Sequence, residues 1–139
     1  KQQIGMPEME YCLECVLDAG FHPIIAHVER YEKIYDHPVE DLIRLKNRGC
    51  LVQINLYSVA QDNGTRGNRK ELANAFLEEG LVDFVGTDTH RLNYKPANAQ
   101  IGAEAVRMKY GSDYGDAVLY GNAEKMLIKP ASFEEESTR

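Results

Sequence analysis

Gly20-Phe21-His22-Pro23-Ile24-Ile25-Ala26-His27-Val28-Glu29-Arg30-Tyr31 is the stretch on which the fold turns. Its centre, Pro23-Ile24-Ile25-Ala26, is a short apolar run with no polar alternation, as expected of a strand covered on both faces. Just before it, residues 7–19 read as a helix: Pro7 suits a first helical position, and Met9, Cys12, Leu13, Val16 and Leu17 recur at helical spacing. Gly20 is the expected C-cap.

The same grammar repeats downstream. Pro38 opens a second helix, with Val39, Leu42, Ile43 and Lys46 in register and Gly49 as its stop, and residues 50–54 (CLVQI) form a second strand. Residues 61–68 (QDNGTRGN) are a polar, glycine-bearing loop. Asn68 with Glu71 resembles a capping box that opens a third helix through Glu79. Gly80 stops it, and residues 82–85 (VDFV) give a third strand. Further helices are expected over 97–110, 113–119 and 123–128, before an acidic tail at about 131–139. Helix and strand alternating through short connections predict an α/β fold with parallel strands. A complete eightfold barrel takes roughly 250 residues, so three strands imply a small sheet or about half a barrel.

The 139 residues suit one domain. A net charge of −6 argues against a broad nucleic-acid footprint. No apolar run approaches the roughly 20 residues that span a bilayer, and no signal peptide opens the chain. Three cysteines, Cys12, Cys15 and Cys50, make no disulfide framework, so a reducing, cytoplasmic setting is expected. The chain begins at Lys1 rather than Met and reads as part of a longer protein.

Chemistry in parallel α/β units gathers where strands end, and this sorts the four histidines. His27 leaves the first strand and His90 follows the third, in Gly86-Thr87-Asp88-Thr89-His90. His22 precedes its strand, and His37 falls in the turn before Pro38. Asp88 and His90, two apart in an extended segment, point the same way. With His27 they make a set of hard and borderline donors suited to Mn, Fe or Zn. Taken singly, each also reads as a polar residue at a helix start. Arg30 suits bidentate phosphate recognition; its alternative is a surface arginine paired with Glu29 or Glu32. Arg91 and Lys95 add positive charge at the same rim, and Asn55 closes the second strand toward it. Cys12-Leu13-Glu14-Cys15 has no second pair to complete a tetrahedral site, so buried small residues are the expected reading. Residues 64–70 lack a full phosphate-loop pattern.

The segment from Gly20 to Tyr31 resembles the manganese-dependent protein tyrosine phosphatases of bacterial capsular and exopolysaccharide systems, in the polymerase-and-histidinol-phosphatase (PHP) superfamily. Val52-Gln53-Ile54-Asn55 with Ser58, Gly86-Thr87-Asp88-Thr89-His90 and Tyr120-Gly121-Asn122-Ala123-Glu124 add to the likeness. The resemblance implies the C-terminal part of a distorted (βα)7 PHP-type barrel with a multi-metal cluster of manganese or another divalent transition metal. It further implies His27, Asp88 and His90 as metal ligands and Arg30 as the phosphate-contacting catalytic residue. A second family arginine falls near Lys95, with Arg91 as the alternative. The family's opening His-x-His strand and two metal-binding glutamates are not in this chain, so the isolated segment is expected to be inactive and prone to homo-oligomerise. The implied substrate is a phosphotyrosine protein, a tyrosine autokinase of polysaccharide export. The rival readings are a phosphoesterase acting on a small ester such as histidinol phosphate, and a non-catalytic binding or regulatory domain.

Overall fold

Three parallel strands lie side by side in sequence order, β1 (Ile24–Ile25), β2 (Leu51–Asn55) and β3 (Phe84–Gly86). They are seen in a computed structural model that describes residues 5–60, 68–90 and 99–127. The helix α1 (Met6–Asp18) leads into β1 and α2 (Pro38–Asn47) into β2. A five-residue helix, α3 (Leu56–Ala60), and then α4 (Arg69–Glu78) lead into β3. After it come α5 (Ala99–Tyr110), α6 (Ser112–Asp116) and α7 (Asn122–Leu127), the last two joined by a π-helical stretch, Ala117–Gly121.

Register explains which sheet face is buried. Ile25 pairs with Val52 and Ile54 with Val85, so these four side chains share one face. All four are buried, together with Leu42, Leu45, Ala73, Phe76 and Val106 from the helices. Ile24, Leu51, Gln53 and Phe84 share the other face, where Ile24 is 49% exposed and the rest are half-buried. The first strand, expected to be covered on both faces, is buried at Ile25 and open at Ile24, so among the described residues its second face is only partly covered. Apolar composition alone does not tell a strand with two buried faces from one whose second face stays open.

Other expectations also change. Cys12 and Cys15 are exposed rather than buried, because α1 packs through Met6, Met9, Leu13 and Leu17 only. Asn68 makes no side-chain cap; its backbone N–H is instead met by Glu32 at 3.0 Å. A long-range carboxylate thus takes the donor that the capping box would have used. The helix expected over 113–119 gives way to α6 and the π-helical stretch, which α7 continues. Asn122 Nδ2 donates to the Asp83 carbonyl at 2.9 Å, and Tyr114 Oη to that of Val82 at 3.2 Å, tying these helices to the start of β3. The loop at 61–67, Arg91, Lys95, residues 97–98 and the tail lie outside the described residues.

α5 reaches α3 by close approach. Gly102 is buried, and a Cβ there would sit 2.5 Å from Leu56 Cγ, so only glycine admits this contact. No helix among the described residues is long and apolar enough to cross a membrane.

Candidate functional site

All three strands finish at one end of the sheet, and polar side chains collect there. The residue two beyond each outer strand departs from ordinary backbone: His27 has φ 42° and Asp88 has φ 52°. Both lie in the left-handed region, which costs an L-residue roughly 1–2 kcal/mol. Such strain persists where surrounding contacts over-determine it, and those contacts are visible here.

Asp88 is where they meet. Arg30 Nη2 donates to Asp88 Oδ2 at 2.7 Å, and Asn55 Nδ2 donates to the same oxygen at 3.1 Å. His90 Nε2 lies 2.9 Å from Asp88 Oδ1, with its own side chain 75% exposed. Arg30 is carried by the 3-10 turn Val28–Arg30, Asn55 by the last position of β2, and Asp88 by the exit of β3. Arg30 is thus no surface arginine paired with Glu29 or Glu32; its partner lies 58 residues away.

His27 stands at one remove. Its backbone N–H donates to Gln53 Oε1 at 2.7 Å, and Gln53 Nε2 donates to Ile54 O at 2.6 Å and to Asn55 Oδ1 at 3.2 Å. A chain of contacts therefore runs from His27 through Gln53 and Asn55 to Asp88. Gly86 leaves room for it, since a Cβ there would stand 3.0 Å from Gln53 Nε2. The His27 ring meets Tyr31 edge-on, with centroids 5.8 Å apart.

The sequence by itself assigns Glu29, Gln53 and Ser58 no role in the chemistry, yet they build this end. Glu29 is fully buried; Ser58 Oγ donates to its Oε1 at 2.7 Å, and the Asn55 backbone N–H does so at 3.3 Å. Burial pushes the Glu29 carboxyl above its ordinary value, against the opposing pull of Ser58, the backbone N–H groups and the Arg30 charge. One signal for Gln53 was available: it is a polar residue inside an otherwise apolar strand. An acidic residue beside an arginine carries no comparable mark.

Among the described residues no group of three or more His, Cys, Asp or Glu side chains is gathered closely enough to hold a metal ion. The structure brings Asp88 and His90 together without completing a cage with His27. The donor chemistry nevertheless fits a divalent transition metal: two imidazoles and a carboxylate are borderline and hard ligands. His27 Nδ1 is buried and has no hydrogen-bond partner, the condition of a nitrogen open to coordination. His22 is exposed at the opposite end of β1, and His37 precedes α2.

Several known proteins are similar to this chain. The tyrosine-protein phosphatase CpsB of Streptococcus pneumoniae is 32% identical over 121 residues, covering 84% of this chain and 49% of that protein. CpsB of Streptococcus agalactiae serotype III is 29% identical over 128 residues, 90% of this chain and 52% of the relative. The tyrosine-protein phosphatase YwqE of Bacillus subtilis is 29% identical over 117 residues, covering 84% and 44%. A solved structure from a study of YwqE and pneumococcal CpsB, described as unique metal-dependent tyrosine phosphatases, superposes with a TM-score of 0.66 at 26% identity. It covers 77% of this chain and 42% of that one. The chain spans about half the length of the curated relatives it matches. Residues 4–128 match the family described as capsular polysaccharide synthesis, CpsB/CapC, and the chain belongs to that family.

Proposed function

We propose that this chain forms the C-terminal part of a metal-dependent protein tyrosine phosphatase built on a distorted (βα)7 PHP-type barrel. The observation that carries the reading is the convergence of Arg30 and Asn55 on Asp88 at the strand ends. The half-open sheet face supports the barrel, because a barrel would enclose that face. His27, Asp88 and His90 would hold the metal, of which manganese is the proposed identity. When bound, a divalent cation supplies Lewis-acid charge stabilisation and makes a water molecule acidic at neutral pH.

The chain's own residues do the positioning. Asp88 holds the Arg30 guanidinium at the strand ends, and a guanidinium with five N–H donors can contact a phosphoryl group while keeping that partner. Its fixed charge meets the charge that develops on the transferring phosphoryl oxygens. Asn55 fixes Asp88 from the other side, and Arg91 and Lys95 are proposed to add positive charge at the substrate rim. The substrate proposed is a phosphotyrosine protein, a tyrosine autokinase of polysaccharide export, met in the cytoplasm.

The test is turnover of a phosphotyrosyl peptide against a small ester such as histidinol phosphate, by the intact protein with manganese and with a chelator. The expected result is peptide hydrolysis that the chelator abolishes. Preference for the small ester would assign the chain to the rival phosphoesterase class, and no hydrolysis of either would leave a binding domain. The 139-residue chain alone is expected to show negligible turnover, since His27, Asp88 and His90 are too few ligands for the multi-metal cluster that the family resemblance implies.

A further inference from the structure

We propose that Glu29 is a positioning residue of this site: by holding Ser58 and the Asn55 backbone to the turn that carries His27 and Arg30, it sets where Arg30 and Asn55 meet Asp88. The kinetic part of the proposal rests on the phosphatase reading; the geometric part does not.

Among the described residues the buried polar ones are Glu29, Asp41, Asn55 and Ser58. Asp41 satisfies the start of α2, where its Oδ2 accepts from the Asp36 and His37 backbone N–H groups. The other three form one cluster at the strand ends. A carboxylate removed from water is costly unless it is well bonded, and such networks are kept where they specify one arrangement. Glu29 Oε1 takes both Ser58 Oγ–H and the Asn55 N–H, whereas Oε2 has no partner. One oxygen therefore joins two segments that are far apart in sequence.

The placement links this joint to the site. Asn55 binds Glu29 through its backbone and Asp88 through its side chain. Arg30, the next residue after Glu29, binds the same Asp88 oxygen. Loosening the joint moves both donors on Asp88 at once. Glu29 touches neither Asp88 nor His90 in these contacts, so it acts through its neighbours.

The experiment compares Glu29→Ala and Glu29→Gln in the intact protein. Glu29→Ala is expected to lower kcat on the order of 10–100-fold, as misplacement by about 1 Å does, with KM changed by less than about threefold. Glu29→Gln keeps an acceptor oxygen for Ser58 and Asn55 and is expected to recover most of that loss. NMR of the metal-free protein gives an independent readout. The Arg30 guanidinium signals and the exchange protection of the Asn55 amide should change in Glu29→Ala and return toward wild type in Glu29→Gln. Should Glu29→Ala not fold, Ser58→Ala is expected to shift the Arg30 signals in the same direction by less. Equal damage from Gln and Ala, or unmoved Arg30 signals in the Ala or Ser58 variant, overturns the proposal. Absence of phosphotyrosine turnover in the wild type would refute the phosphatase reading, and the NMR comparison would still decide the role of Glu29.

Discussion

Positive φ occurs at both ends of the βα units, but the two ends use different residues for it. Where helices turn into strands, Gly20 has φ 83° and Gly49 has φ 101°. Where strands lead out, the same sign of φ is taken by His27 and Asp88. Glycine adopts such backbone at little steric cost, whereas histidine and aspartate bear strain for it. At the first end only the conformation matters. At the second a particular side chain must stand at a particular place, which is the pattern expected when one face of a parallel sheet serves stability and the other chemistry.

The contrast can be broken from either side. The largest effect is expected from His27→Gly, which relieves the backbone and removes the imidazole. Metal affinity of the intact protein should fall at least tenfold, while the melting midpoint stays level or rises. Calorimetric titration with manganese beside thermal unfolding checks both. A fall in melting midpoint with metal affinity intact would make His27 a structural residue. A smaller effect of opposite kind is expected from Gly49→Ala. Its Cβ would lie an ordinary 3.7 Å from Leu17 Cδ2, so the cost is conformational, about 1–2 kcal/mol of stability. Denaturant unfolding should show that loss, and activity per folded molecule should not move. Reduced kcat in Gly49→Ala would mean that the two ends are coupled.

The two ends also differed in how legible they were. The helix-to-strand turns were marked by Gly20, Gly49 and Gly80 following periodic apolar stretches, and parallel order followed from alternation of helix and strand. The candidate ligands could be sorted because they fall just past apolar runs. What could not be read were contacts closed by tertiary structure. Cys12 faces out because the packing stripe of α1 is narrower than its run of apolar residues. Glu32 reaches the Asn68 N–H across 36 residues, which no local motif announces. The sequence leaves Arg30 open between a phosphate contact and a surface arginine, because its partner Asp88 lies 58 residues on. Burial of Glu29 depends on the turn at Val28 folding onto the end of β2, a fact that residue type alone does not carry.

Arg30→Lys in the intact protein tests most directly whether the strand-end pair is a phosphoryl-transfer site. The substitution keeps the charge and discards the planar fork. With a phosphotyrosyl peptide, kcat is expected to fall on the order of 100-fold, as for loss of one donor to a developing oxyanion. Metal content measured on the same preparation should stay unchanged. Loss of metal in step with activity, or wild-type turnover in the lysine variant, would contradict the role given to Arg30.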